Sequence, residues 1–224
     1  MAFDWSPLVI SLRTVLYAGV LVFLLGVSLA RIFLYVDGRV KWLTDVLFTL
    51  PLVLPPTVIG FFLLVLFGKN SPIGKTLAQA GLSLIFTWQA TVLAAVVVSF
   101  PLMYRAAKGA FEQVDENLIW AARTLGMSEF KIFVRILIPQ AWQGIAAGAG
   151  LSFASALGEF GATLMIAGNI PKRTQTIPIA IYFATSAGKM QTAGIWVAVI
   201  TTVSCVALGF MNYYNARAKK GGTK

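Results

Sequence analysis

The sequence predicts an all-α membrane protein with about five transmembrane helices and a cytoplasmic loop that contains short helices. Hydrophobic residues make up 58% of its 224 residues and charged residues only 12%. A soluble domain carries about 25% charged residues, so this chain has too little polar surface to coat a globule in water. The length suits one domain, and we expect residues 1–224 to form a single transmembrane domain.

Five uncharged runs are long enough to cross a bilayer core, which needs about 20 apolar residues in a helix. They are residues 14–30, 46–68, 76–104, 136–158 and 190–216. The N-terminal MAFDWSP has no basic region, so we expect the first run to remain as a span and not to be a cleaved signal peptide.

Two shorter uncharged runs, residues 160–171 and 174–188, are too short for comfortable spans. We expect them to form re-entrant or interfacial helices on one side of the membrane. The alternative is a sixth span interrupted by Lys172 and Arg173, which would place two adjacent charges at mid-membrane at a high energetic cost.

The net charge of +10 fits either a nucleic-acid binder or a membrane protein with basic cytoplasmic loops. The bases lie in short segments between apolar runs, which argues against nucleic acid. Lys and Arg are most frequent in the first loop, the third loop and the tail, so we expect the N-terminus outside and the C-terminus in the cytoplasm. With no His and one Cys, zinc clusters, disulfides and His-based catalysis are excluded.

The third loop, about residues 107–136, has signals for two helices. Asp115 can cap a helix that starts at Glu116, Gly126 can end it in a left-handed conformation, and Ser128 can cap a second helix that runs toward Pro139. One apolar stripe has helical spacing and consists of Leu118, Ala121, Ala122 and Leu125. Such a stripe either lies on lipid headgroups or enters a groove on a partner protein.

This loop resembles the EAA-type loop of ABC importer permeases, whose pattern is E-A-A-x3-G-x9-I-x-L-P. Ala121, Ala122, Gly126 and Pro139 keep the spacing, whereas Trp120 stands where the family has Glu. The resemblance implies that the loop docks on a cytoplasmic ATPase. Together with the caps and the apolar stripe, it gives the residues that we expect to act in this coupling: Asp115, Glu116, Leu118, Ala121, Ala122, Arg123, Leu125, Gly126 and Pro139.

Four segments are similar to the molybdate branch of these permeases: LPLVLPPTVIG, SFPLMYRA, AARTLG and GEFGA. The resemblance implies a type I importer permease in a bacterial inner membrane that carries molybdate, or tungstate, into the cytoplasm. The implied partners are an ATPase dimer, an extracytoplasmic binding protein, a second copy of the chain and membrane lipid. Three alternatives stay open: a sulfate or thiosulfate permease, a secondary transporter that works alone, and a membrane assembly or scaffold subunit with no pathway.

Two groups of residues are candidates for the pathway or its gate. Proline kinks a helix and frees carbonyl groups that must face protein or water, which singles out Pro51, Pro55, Pro56 and the adjacent Thr57. A kink used only for packing is the alternative. The second group is Ser152, Ser155, Glu159 and Phe160. Either serine could bind an oxyanion or a neighbouring helix, and we expect Glu159 to act in a gate or in structure, pairing with a base such as Arg173 or contacting the binding protein.

The segment GKNSPIGKT resembles a phosphate-binding loop but has five residues, not four, between its glycines. We therefore expect no nucleotide site, no catalytic residue and no cofactor in this chain. ATP and Mg²⁺ would be used by the partner ATPase.

Overall fold

The architecture was established from a computed structural model, which describes residues 4–36 and 38–221. The first span, α1 (Ser6–Ile32), starts with Pro7 in its first turn and has Arg31 in its last. Proline is tolerated where the helix has no donor to lose, and a cation is favourable at the negative end of the helix dipole. At 1.5 Å per residue this helix is long enough to cross a bilayer.

The second uncharged run is a broken pair of helices, as its prolines predict. Helix α2 (Arg39–Val53) and helix α3 (Pro56–Phe67) meet at an angle of 114°. Leu54 and Pro55 between them are extended, with ψ angles of 139° and 137°. A residue that precedes proline is forced out of the helical region, and both residues precede one. Pro51 lies inside α2 and does not end it.

The third span begins and ends later in the chain than the uncharged run at residues 76–104 predicts. Residues 76–87 do not belong to the span: α4 (Pro72–Gln79) is a separate short helix that ends before Gly81, whose φ is +72°. The span itself is α5 (Trp88–Glu112), which continues past Arg105 and Lys108. The charge of Lys108 is paired with a carboxylate on α2.

The coupling loop contains α6 (Glu116–Thr124) and α7 (Glu129–Ile132). A π-helical turn (Phe133–Leu137) then leads directly into α8 (Ile138–Leu157). The first residues of the predicted loop, 107–112, belong to α5. The predicted second helix runs from α7 through the π turn toward Pro139, as expected, and continues as α8. The wide π turn accommodates this proline at the start of α8 without a break.

The chain ends with α9 (Gly161–Ala167), α10 (Ile177–Ser186) and α11 (Met190–Gly221). The two shorter runs form short helices, as predicted, and α9 is bent by 54° from the helix before it. Three helices are long and apolar enough to cross a membrane, or five if each bent pair counts as one span, within the part of the chain that the structure describes. The prediction of about five spans agrees with this.

Helix α5 forms the centre of the packing and contacts α1, α2, α8 and α9. Small residues let the helices approach closely: a Cβ atom added to Gly148 would lie 2.5 Å from the Cβ of Ala106, and one on Gly26 would lie 2.5 Å from the Cγ of Met103. Near the coupling loop, Ile119 and Ala122 join Tyr104, Phe111 and the π-helical segment in one apolar cluster. This cluster holds the coupling loop against the spans.

Candidate functional site

The ends of the first coupling helix, α6, have the geometry that the sequence predicts. The carboxylate of Asp115 accepts a hydrogen bond from the Asn117 backbone at 2.9 Å. Gly126 follows the helix with φ +74°, and a Cβ there would meet nothing within 4 Å. The hydroxyl of Ser128 accepts from the Lys131 backbone at 3.4 Å. The cap residues, including Glu116 at the first position, therefore fix the start of α6 and its turn into α7.

The predicted apolar stripe of α6 is divided between two faces. Ala122 is buried beside Ile119, so it holds α6 against the spans and cannot touch a partner. Leu118 and Ala121 are exposed, and Leu125 is 82% exposed. Two large side chains nearby that the predicted stripe did not include are also exposed, Trp120 at 60% and Phe130 at 74%. We call Leu118, Trp120, Ala121, Leu125 and Phe130 the exposed coupling surface.

Glu129 joins three parts of the molecule and was also missed. Its carboxylate accepts a hydrogen bond from Arg123 Nε at 2.7 Å and another from Arg31 Nη2 at 2.8 Å. The hydrogen bond from Arg123 holds the pKa of Glu129 below its usual range, and the same bond raises the pKa of Arg123. The opposite charges of Arg123 and Glu129, six residues apart, could have indicated the first of these ion pairs. Arg31 is 98 residues away from Glu129, and no local pattern indicates that pair.

The proline-rich break and the GEFGA segment lie against each other. A Cβ added to Gly60 would lie 2.8 Å from the Cα of Ala162, and one on Gly161 would lie 3.1 Å from the Cβ of Pro56. Pro55, Pro56 and Thr57 are exposed in the single chain, and Pro51 is partly buried. Two breaks in the helical scaffold are therefore adjacent, which places non-helical backbone in one region of the molecule.

Glu159 caps the bent helix α9. Its carboxylate accepts from the backbone N–H of Ala162 at 2.9 Å, from that of Thr163 at 2.9 Å and from the Thr163 hydroxyl at 2.6 Å. The expected pairing with Arg173 is not the observed one. Glu159 is buried within the chain, and the helix N-terminus supplies the positive potential that an arginine would have provided.

The other pathway candidates lie in different surroundings. Ser152 is buried, and its hydroxyl has no hydrogen-bond partner among the described residues. Ser155 is half-buried on the same helix. The ring of Phe160 lies 5.1 Å from the ring of Tyr182, at the start of the bent helix. Of this group, Glu159 and Phe160 flank the break, whereas Ser152 points into the packed interior.

A second polar contact that the sequence analysis missed links α2 to α5. Asp45 accepts hydrogen bonds from the Tyr104 hydroxyl and from the Lys108 ammonium, both at 2.6 Å. Lys108 is buried, with its relative exposure at 8%. These bonds fix the first half of the broken helix pair to the central helix.

The fold combines long apolar helices, two broken helix pairs and a short capped helix between the spans. Residues 22–221 match the family of the binding-protein-dependent transport system inner membrane component, and the chain belongs to this family. It is thus a membrane permease subunit of an ABC transporter and not the ATPase.

The chain is similar to several curated permeases. The molybdenum transport system permease protein ModB of Escherichia coli (strain K12) is 42% identical over 180 residues, covering 80% of this chain and 79% of that protein. ModB of Haemophilus influenzae is 44% identical over 174 residues, covering 76% of each chain. The Bacillus subtilis (strain 168) protein YvgM is 44% identical over 208 residues, covering 92% of each.

Solved structures with the same fold are more distant in sequence. An inward-facing form of the MetNI methionine ABC transporter superposes with a TM-score of 0.70 at 14% identity, covering 96% of this chain and 93% of that chain. An amino acid ABC transporter with histidines gives a TM-score of 0.67 at 19% identity, covering 97% and 100%. The predicted type I ABC importer permease fold is therefore confirmed.

Proposed function

We propose that this chain is the membrane-spanning subunit of an ATP-driven importer that carries molybdate into the cytoplasm. The observation that carries the proposal is its similarity, at 42% and 44% identity over most of the chain, to permeases named for molybdenum transport. Tungstate has the same charge and shape as molybdate, so we expect it to share the pathway.

The partner that supplies the energy is a dimer of cytoplasmic ATPase subunits, where ATP and Mg²⁺ are used. The exposed coupling surface supports this assignment, since a short capped helix that presents Leu125 and Trp120 to solvent is suited to a partner groove. An isolated apolar set of this kind on a water-facing loop has no role in packing within the chain. The same face would touch lipid headgroups only if it lay flat on the membrane.

The pathway itself would contact its cargo weakly. A tight site for a dianion needs a cation or several converging donors, and the exposed residues of the proline-rich break, Pro55, Pro56 and Thr57, offer few. Selectivity would then reside in an extracytoplasmic binding protein that delivers the oxyanion. Two copies of the chain would enclose the pathway, with the breaks near Pro55 and Glu159 facing it. We place the N-terminus outside and the C-terminus in the cytoplasm.

The test is ATP-driven uptake into liposomes that contain this chain and its ATPase, with the binding protein loaded in turn with molybdate, tungstate or sulfate. We expect uptake of molybdate and tungstate and none of sulfate. Uptake of sulfate would assign the chain to a sulfate and thiosulfate importer instead. Uptake by the permease without its ATPase would indicate a secondary transporter and overturn the proposal.

A further inference from the structure

The coupling helix α6 has few attachments to the rest of its own chain. Two buried apolar side chains, Ile119 and Ala122, enter the cluster beneath it. The polar attachment is the group formed by Arg123, Glu129 and Arg31, which we call the charge node. Since α6 presents its other large side chains to solvent, a displacement of this helix reaches the spans through these contacts and through the short backbone links at its two ends.

The charge node joins three elements at one carboxylate. One oxygen of Glu129 binds Arg123 on α6, at 2.7 Å, and the other binds Arg31 at the end of α1, at 2.8 Å. Glu129 itself is the first residue of α7, which runs through the π-helical turn into α8 without a break. A single side chain therefore connects the coupling helix both to the first span and to the span that ends near Glu159.

Tyr35 holds the two arginines of the node in place. Its ring centroid lies 4.7 Å from the guanidinium carbon of Arg31 and 5.7 Å from that of Arg123. Both distances are within the range of cation–π attraction, about 6 Å. The side chains of Arg31 and Arg123 are only 18% and 32% exposed. The arginines are thus stacked and partly covered, which reduces the entropy lost when they bind the carboxylate.

We propose that Glu129 is the positioning residue through which the coupling helix moves α1 and α8 together. The inference rests on the proposed function, because it requires an ATPase that displaces α6. An exposed ion pair contributes little to stability, and the Glu129 side chain is 55% exposed. The charge node therefore matters because it fixes the position of α6 relative to α1, and not because it stabilises the fold. With Glu129 neutral, α6 keeps its apolar contacts and the contact of Arg123 with Tyr35, but the charged hydrogen bonds that join α6 to α1 through this side chain are weakened.

The test compares Glu129→Gln with Glu112→Gln in the complete transporter in liposomes. Glu112 is a matched control, because it also pairs with a cation across helices, Lys41 at 3.9 Å, and its substitution removes the same charge. Molybdate uptake and ATP hydrolysis are measured in the same vesicles. We expect Glu129→Gln to lower uptake per ATP by between about twofold and thirtyfold, the range of coupling changes seen for intermediate residues. The control should keep the wild-type ratio.

A second pair of variants separates positioning from folding. Arg31→Gln should lower the same ratio, and the double variant Glu129→Gln with Arg31→Gln should be no worse than Glu129→Gln alone, since both remove one interaction. The amount of ATPase that co-purifies should stay at the wild-type level in all of these variants. A wild-type ratio in Glu129→Gln, an equal loss in the control, additive losses in the double variant, or loss of the ATPase would each overturn the inference. Uptake by the wild-type transporter tests the proposed function separately.

Discussion

At the scale of single residues, Glu159 and Ser152 are both buried polar side chains, but only Glu159 is hydrogen-bonded within the described residues. Glu159 receives three hydrogen bonds from α9, and Ser152 on the preceding helix has a buried hydroxyl with no partner among the described residues. A buried polar group costs free energy unless it is hydrogen-bonded. The carboxylate is therefore part of the structure of the bend, whereas the hydroxyl adds nothing to the stability of the chain.

This contrast predicts different outcomes for two conservative substitutions. Glu159→Gln replaces one acceptor oxygen with an NH₂ group and leaves a donor of α9 unpaired, so we expect it to lower the free energy of unfolding by about 1–3 kcal/mol. Ser152→Ala removes a hydroxyl that has no hydrogen-bond partner in the described part of the chain, so it should leave stability unchanged or raise it. Thermal unfolding of the detergent-solubilised chain measures both. Equal melting temperatures for Glu159→Gln and the wild type would contradict the capping role.

Gly126 supports a second prediction at this scale. Its φ of +74° is unfavourable for residues with a Cβ, and a Cβ there would have open space around it. Gly126→Leu should therefore add backbone strain of about 1–2 kcal/mol, without a steric clash, and change the orientation of α6 relative to α7. We expect the protein to insert normally while ATP hydrolysis is uncoupled from molybdate uptake.

Gly126→Asn is the matched control, because asparagine adopts the left-handed conformation more easily. It should retain most of the coupling that Gly126→Leu loses. Uptake and hydrolysis measured together in liposomes decide the matter. Normal coupled uptake by Gly126→Leu would show that the left-handed turn is dispensable.

At the scale of elements, the contact between α3 and α9 depends on the absence of a side chain. A Cβ on Gly60 would lie 2.6 Å from the Cβ of Met165 and 2.8 Å from the Cα of Ala162, which is backbone. Backbone cannot yield as a flexible side chain does, so the two helices would have to separate. The two breaks stay adjacent only while this approach is possible.

Gly60→Ala should therefore destabilise the fold by about 1–3 kcal/mol, the usual cost of overpacking. Gly194→Ala on α11 is the control, because a Cβ there meets nothing within 4 Å and alanine is the better helix former. We expect Gly60→Ala to melt at a lower temperature than the wild type and Gly194→Ala to melt at the same or a higher one. The reverse order would show that α3 and α9 are not closely packed in the membrane.

At the scale of the whole molecule, many large apolar side chains are exposed in the single chain. Those on α1, α2, α3 and α11 suit lipid or a second copy. The exposed coupling surface differs, because four of its five residues lie on or directly after the short polar helix α6, and Phe130 lies in the turn of helix that follows. The family of the chain makes it the membrane component of a larger transporter, and a water-facing apolar surface is where such an assembly would be joined.

Leu125→Glu tests this surface directly. The side chain is 82% exposed, so the substitution should leave the fold unchanged, but a charge in a partner groove should weaken ATPase binding by about tenfold or more. Leu82→Glu, at a position 60% exposed in the loop before α5, is the control and should bind the ATPase normally. Co-purification of tagged ATPase with each variant gives the readout. Equal binding by both variants would place the docking surface elsewhere.

The sequence by itself determined the class of fold, the broken second span and the ends of the coupling helix. These features depend on interactions between neighbours along the chain. Uncharged runs follow from composition, Pro55 and Pro56 exclude helix from the residues before them, and Asp115 and Gly126 act on the turns beside them. The start of the third span was predicted wrongly, because an uncharged run of residues is compatible with both a span and a loop.

Only the tertiary structure decided which distant residues meet. In the folded chain Gly60 packs against Ala162, Lys108 forms an ion pair with Asp45, and Arg31 forms one with Glu129. The tertiary structure also divided the stripe of α6, because periodicity places Ala122 and Leu125 on one side of a helix but does not show how wide the covered face is. Contacts of this kind depend on helix packing angles and on small residues at crossing points, and no local pattern in the sequence encodes them.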